Sequence, residues 1–338
     1  MNITPEKIKK VLCIKPRGIG DIVLSTIILD NLHHHFSNAK IDYLTEHFAK
    51  SALKNNPLVN KILTMHKTEL SLKVALKIRK EKYDIVIDLW SNPKSAQITF
   101  FSGVKYRVGY AYRGRKYAYN ILGTSSKGEI HSAEHNLELL KPIGVNIISK
   151  NIHYYVGDLE KLFAEDYFSE NNLINKTVLG IIPAGGWDSK RCDKNKWVEI
   201  CKESIKNFNC KVLILWGPGD ENDADFIKQN LGDDCLLAPK SSLVQMAALI
   251  SKCNLVIAND SGPMHISAAL NIPTLGIFGP TNPKYHRPYS SNSDYVIKND
   301  LHCIICNKLI CPYLHECMTE LDVNNVIDKM KVLLNETN

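Results

Sequence analysis

The chain has 338 residues, 44% of them hydrophobic and 23% charged, with a formal net charge of +7. That length exceeds one ordinary core and suits two domains of roughly 150 residues, and the composition excludes a disordered or low-complexity chain. No run approaches the roughly 18 apolar residues needed to span a bilayer. The opening apolar stretch stops at Lys15 and Arg17, too early for a secretory segment, so a cytoplasmic chain is expected.

In chain order, short β-branched runs at 11–15, 40–44, 60–64 and 83–89 predict strands, and 19–36, 46–55 and 68–81 predict helices between them. The run at 83–89 is almost continuously apolar, the pattern of a strand buried on both faces. After a polar stretch at 150–176 holding one short helix, the grammar repeats. Strands are predicted at 177–184, 211–217, 254–260 and 273–279, with helices at 194–207, 221–231, 242–252 and 262–270. Strand and helix alternating twice over predict two doubly wound, Rossmann-like α/β domains with parallel sheets. A last amphipathic helix is expected at about 322–334.

Charge divides unevenly. Residues 1–156 carry 24 Lys and Arg against 12 Asp and Glu, and residues 157–338 carry 18 against 23. A basic first half suits an anionic partner such as a phosphorylated substrate, nucleic acid or an anionic membrane surface, or it is simply a solvated basic face. The segment 105–120 sets Lys105, Arg107, Arg113, Arg115 and Lys116 among five tyrosines and is the candidate contact. Basic and aromatic residues interleaved also suit single-stranded nucleic acid, but no RNA-binding fold signature accompanies them.

Ligands of open parallel sheets gather beyond the carboxyl ends of the strands, so the strand-to-helix junctions hold the candidates. In "KPRGIGDIVL", Gly18 and Gly20 permit a tight turn with close backbone approach. Asp21 follows in the first helical turn, as a base or as an acid favoured by the helix dipole. Val23 occupies the third glycine position of a dinucleotide fingerprint, which argues against a dehydrogenase. In "NLVIANDSGPMHIS", Asn259, Asp260 and Ser261 reach the sheet edge, Gly262 turns the chain and Pro263 opens a helix. Its first amides form an anion site suited to a pyrophosphate, with His265 as a donor to phosphate or sugar, or as a core histidine. "AGGWDSKR" presents Lys190 and Arg191, cations for a departing nucleotide or a solvated loop. "GPGDE" presents Asp220 and Glu221, for a ribose diol or as ordinary helix-start acids.

Ten cysteines in a reducing compartment do not form a disulfide framework. Four of them, Cys303, Cys306, Cys311 and Cys317, cluster with His302 and His315 nearby. They can hold a structural Zn or Fe, pair as disulfides, or pack as free thiols.

"RGIGDIVLSTI", "GGWDSKR", "LWGPGDE", "NDSGPMHISAALNIPTLGIFGPTNP" and "CIICNKLICPYLHECM" stand in the order found in bacterial ADP-heptose:lipopolysaccharide heptosyltransferases, glycosyltransferase family 9. The chain resembles that family from about residue 11 to 330. The resemblance implies a GT-B fold, two Rossmann-like domains facing across a cleft. Residues 1–156 would bind acceptor and 157–321 the nucleotide sugar, while 322–338 form a helix able to pack back on the N-terminal domain. It implies an inverting transfer with no required cofactor, from an ADP-sugar to an anionic lipopolysaccharide core. The enzyme would sit peripherally at the cytoplasmic face of the inner membrane and take no nucleic acid as partner.

By the same resemblance Asp21 is the general base and Lys190 the cation on the phosphates, while Gly20, Glu221, Asp260, Ser261, Gly262 and His265 cradle the nucleotide sugar. The chain departs from the family at Cys192, where a bulky residue is usual. Two other readings remain open at this level: a GT-B sugar-nucleotide epimerase, which needs no acceptor, and a metal-stapled module for anionic polymers.

Overall fold

The computed structural model describes residues 3–126 and 128–335, and these divide into two units, Met1–Tyr155 and Val156–Asn338. The first unit runs β1 (Lys10–Ile14), α1 (Ile19–Ser25), α2 (Leu29–His35), β2 (Lys40–Glu46), β3 (Lys61–Met65), α3 (Ser71–Glu81), β4 (Ile85–Asp88), α4 (Pro93–Ser102), β5 (Tyr106–Gly109), β6 (Ile121–Leu122) and α5 (Ser132–Leu137). The second runs α6 (Asp158–Glu170), β7 (Val178–Ile182), α7 (Lys194–Phe208), β8 (Lys211–Ile214), α8 (Glu221–Leu231), β9 (Cys235–Leu237), α9 (Leu243–Ile250) and β10 (Leu255–Asn259). It continues through α10 (Gly262–Ala269), β11 (Thr274–Phe278), α11 (Pro283–His286), β12 (Ser293–Ile297), α12 (Glu316–Thr319) and α13 (Val323–Asn335).

Among the described residues each unit builds one six-stranded sheet. The orders are β3-β2-β1-β4-β5-β6 and β12-β11-β10-β7-β8-β9, and neighbouring strands are parallel throughout. Read from β9, the second sheet has the same order as the first, the doubly wound topology whose direction reverses between its first and fourth strands. That switch point falls between β1 and β4 in one unit and between β7 and β10 in the other. The strands flanking it are buried along their length except at Lys10, because helices cover both faces of a parallel sheet.

Local chemistry starts the helices. Asn92 and Ser95 exchange hydrogen bonds as a capping box at α4, with Pro93 in its first turn, and Ser242 does the same with Gln245 at α9.

Two expectations change. The helix foreseen over 19–36 breaks at Thr26–Ile28, where the Ser25 and Thr26 hydroxyls donate back to the carbonyls of Ile22 and Val23 and tighten the turn. The segment 46–55 is a 3-10 helix, His47–Leu53. The last helix packs on its own unit: Val326, Ile327, Met330 and Leu333 lie in one cluster with Leu179, Ile200, Val212 and Ile257.

Candidate active site

Each switch point holds one set of polar groups. In the first unit, Asp21 lies in the opening turn of α1, 45% exposed, with its carboxylate 3.6 Å from the Lys15 ammonium. Lys15 follows directly on β1 and is itself buried. Its ammonium reaches the Leu89 carbonyl just past β4 at 3.4 Å and lies 4.9 Å from the centre of the Trp90 ring. The cation therefore ties the ends of β1 and β4 together and gives the carboxylate a fixed partner. Gly18 makes the turn possible twice over. Its φ is 79°, and a Cβ there would collide with the Asp21 carboxylate. Gly18→Ala is expected to cost about 1–3 kcal/mol of stability and to displace Asp21, so thermal unfolding and turnover should fall together.

In the second unit, two of the sequence candidates meet. The Lys190 ammonium bonds the Asp260 carboxylate at 2.7 Å, with both side chains largely buried, and the Thr281 hydroxyl donates to the same carboxylate oxygen at 2.6 Å. Burial raises the Asp260 carboxyl, but the Lys190 charge and hydrogen bond, the Thr281 bond and the nearby His265 outweigh it and hold the group below the usual carboxylate range. The Lys190 ammonium also lies 4.3 Å from the centre of the Trp187 ring. Asn259 secures the neighbouring strand ends, donating to the Pro183 carbonyl at 2.7 Å and accepting from the Cys192 amide at 3.3 Å. Asp260 thus anchors the cation. It does not cap α10.

The N-terminus of α10 has no side-chain cap. Ser261 precedes α10 in extended conformation without capping it, and its hydroxyl is buried with no hydrogen-bond partner. The first amides of an α-helix lack intrahelical acceptors and carry partial positive charge. Gly262 and Pro263 occupy that first turn, and His265 is buried one residue further into it than Met264. A buried hydroxyl, free amides and an ammonium converge where β10 ends.

The remaining candidates separate. Glu221 opens α8, is exposed, and accepts from the Gly219 amide at 2.7 Å. Arg191 is committed to Asp220 at 2.6 Å and Asp223 at 3.5 Å, so it braces the Gly-Pro-Gly-Asp turn. Gly20 is buried beside Asp21 in the first unit, whereas Glu221, Asp260, Ser261, Gly262 and His265 belong to the second. The basic segment splits as well. Lys105 and Arg107 stand at the amino end of β5, and Arg107 spends its guanidinium on the carbonyls of Ala118 and Val104, so it staples the chain and is not a free anion contact. Arg113, Arg115 and Lys116 lie in the crossover between β5 and β6, with Arg115 against the Tyr112 ring.

Cys303, Cys306, Cys311 and Cys317 do converge, lining one small cavity with His315, Ser189, Gly279 and Pro280. Burial, reinforced by the other three thiols, pushes Cys317 up to about 12. Among the described residues no group of three or more His, Cys, Asp or Glu side chains is arranged to hold a metal ion. The loop is fastened by hydrogen bonds. The Ser189 amide and hydroxyl donate to the Leu309 and Lys308 carbonyls, the Ile305 and Asn307 amides donate to Gly279 and Pro280, and the His315 ring bonds the Ser189 carbonyl. It thereby braces the residues just before Lys190 and Thr281.

Sequence reasoning passed over Lys15, Trp90 and Thr281. The available signal was a lysine closing a buried strand immediately before a glycine turn.

The chain's architecture is that of the GT-B enzymes. The structure of a glycosyltransferase family 9 protein from Veillonella parvula superposes with a TM-score of 0.86 at 20% identity, covering 99% of both chains. Escherichia coli ADP-heptose lps heptosyltransferase II gives 0.80 at 22% identity over 97% of this chain and 99% of its own. The lipopolysaccharide heptosyltransferase 1 of Campylobacter coli is 26% identical over 97% of this chain and 99% of its own. The model of glycosyltransferase family 9 (heptosyltransferase) matches residues 71–316, and the chain belongs to that family. It is a glycosyltransferase, which sets aside the epimerase and the anionic-polymer module.

Proposed function

We propose that the chain transfers the heptosyl group of ADP-heptose to the sugar core of a lipopolysaccharide acceptor, with inversion at the anomeric carbon. The observation that carries this reading is the Lys190–Asp260 pair beside the unpartnered Ser261 hydroxyl at the start of α10. This is a preorganised seat for a diphosphate. Two of the relatives named above are titled lipopolysaccharide heptosyltransferases, and one of these titles names ADP-heptose.

In the proposed reaction the acceptor hydroxyl gives its proton to Asp21 while its oxygen bonds to the anomeric carbon. The bond from that carbon to the β-phosphate oxygen breaks, and ADP leaves. Lys190, the α10 amides and Ser261 stabilise the charge gathering on ADP. Glu221 bonds the ribose, and His265 donates to phosphate or sugar. Neither proton transfer nor departure of ADP calls for a cofactor. The second unit, 157–321, binds the donor and the first, 1–156, binds the acceptor. Arg113, Arg115 and Lys116 meet the acceptor's anionic groups, with Lys105 just before β5.

Lys15 is a positioning residue in this scheme, since it touches Asp21 and not the reacting atoms. Its half-exposed pair is worth about 1 kcal/mol. Lys15→Met is therefore expected to slow turnover about five-fold while leaving the donor's KM unchanged, as read in steady-state kinetics.

No helix among the described residues is long and apolar enough to cross a membrane. With an acceptor anchored in lipid, the enzyme works as a peripheral protein on the cytoplasmic face of the inner membrane. The direct test incubates the purified chain with a panel of nucleotide sugars and truncated core lipids and reads product masses. A heptosyl adduct formed from ADP-heptose alone supports the reading. Another sugar transferred in preference, or hydrolysis without an acceptor product, overturns it.

A further inference from the structure

We infer that the outward face of α3, α4 and the β5–β6 crossover is the surface by which the enzyme lies on an anionic phospholipid bilayer. The inference rests on the peripheral-membrane reading above and specifies which face performs it. Helix α3 buries Val74, Ala75 and Ile78, and turns Leu72 and Leu76 outward, 51% and 46% exposed. Lys73, Lys77 and Lys80 share that outward side. Leu70, just before the helix, is 74% exposed.

Helix α4 runs alongside. Ser71 bonds Gln97 and Arg79 reaches the Ser102 carbonyl, so the two helices run parallel. Phe100 and Phe101 are exposed and meet edge to face, and Phe100 meets Tyr117 of the crossover in the same way. Six large apolar side chains thus share one side of the first unit, more than the single exposed residues of an ordinary soluble surface.

Charge decides what covers them. Residues 61–120 carry 13 Lys and Arg against 4 Asp and Glu. Of those four acids, Glu69 is paired with Lys77, Glu81 with Lys10 and Lys61, Asp84 accepts from the Lys9 and Lys10 amides, and Asp88 is buried beneath Tyr119. A second copy would bring the same positive charge against itself. An anionic lipid surface complements it, taking the leucines and phenylalanines at the level of the headgroups while the lysines meet phosphate. Such a surface is also where a lipid-anchored acceptor is found.

The test uses the full chain and vesicles of phosphatidylcholine with or without about one-third phosphatidylglycerol, read by flotation. Wild type is expected to float with the anionic vesicles, less so as salt rises. Phe100→Ser with Phe101→Ser, and separately Lys73→Glu with Lys80→Glu, are each expected to lower partition by about ten-fold or more. Both variants should keep wild-type unfolding temperatures, ADP binding and transfer to a short water-soluble acceptor. That last measurement separates a failure of this surface from a failure of the transferase reading. Equal flotation of wild type and both variants would place the docking face elsewhere. No flotation of wild type with anionic vesicles would overturn the inference, as would a wild-type dimer that the same substitutions dissociate.

Discussion

Asp21→Ala should lose turnover by about 10²–10⁴-fold, the contribution of one positioned general base, while binding ADP-sugar as wild type does. The two effects separate because Asp21 belongs to the first unit and every group assigned to the diphosphate belongs to the second. Asp21 is also half-exposed, so its removal opens no cavity in the core. Lys15 keeps the Leu89 carbonyl and the Trp90 ring as partners, and the fold should survive. Single-turnover kinetics with calorimetry on the same sample checks both halves. Undiminished turnover would remove Asp21 from the chemistry.

Lys190→Ala should lose about 10²–10³-fold in turnover, the scale on which removal of one preorganised charge-stabilising donor acts, and should weaken ADP as well. It should also reverse the pH dependence of stability at this site. In wild type the Asp260 carboxyl is lowered, so its contribution to stability is present above the unfolded value near pH 4. That contribution is lost as the pH falls through the folded value. Without Lys190 the burial that opposes ionisation is left less opposed. The Asp260 carboxyl then rises, and the variant should gain on wild type as the pH drops toward 4. At neutral pH a carboxylate buried without its partner costs about 3 kcal/mol. Denaturant unfolding of both proteins at neutral and mildly acid pH reads the crossing. Parallel pH curves would show that Lys190 and Asp260 are not coupled in solution.

The parts legible in the sequence are those in which burial is continuous. β4, β7 and β10 are apolar along nearly their whole length because helices cover both faces, and each was placed within a residue or two. β5, β6 and β9 are two to four residues long, too short for periodicity to rise above their neighbours. The candidate anion site was legible because Gly262 and Pro263 can be read locally as a turn and a helix start.

The pairing that completes that site was not legible. Lys190 and Asp260 are 70 residues apart, and only the switch-point topology brings the end of β7 beside the end of β10. For the same reason Asp260 read as part of the nucleotide-sugar cradle and not as the partner of Lys190. Arg107 shows the converse: a cation in a basic run whose hydrogen bonds to Val104 and Ala118 no linear pattern announces. The four cysteines were read for their spacing, yet what they line is the underside of the loops bracing Lys190 and Thr281.

Binding of ADP by isothermal titration to wild type, Lys190→Ala and Asp21→Ala tests the diphosphate seat most directly. The account expects micromolar-range binding to wild type, binding at least about ten-fold weaker to Lys190→Ala, and an unchanged Kd for Asp21→Ala. Equal Kd values for wild type and Lys190→Ala, or loss of ADP binding in Asp21→Ala, would contradict it.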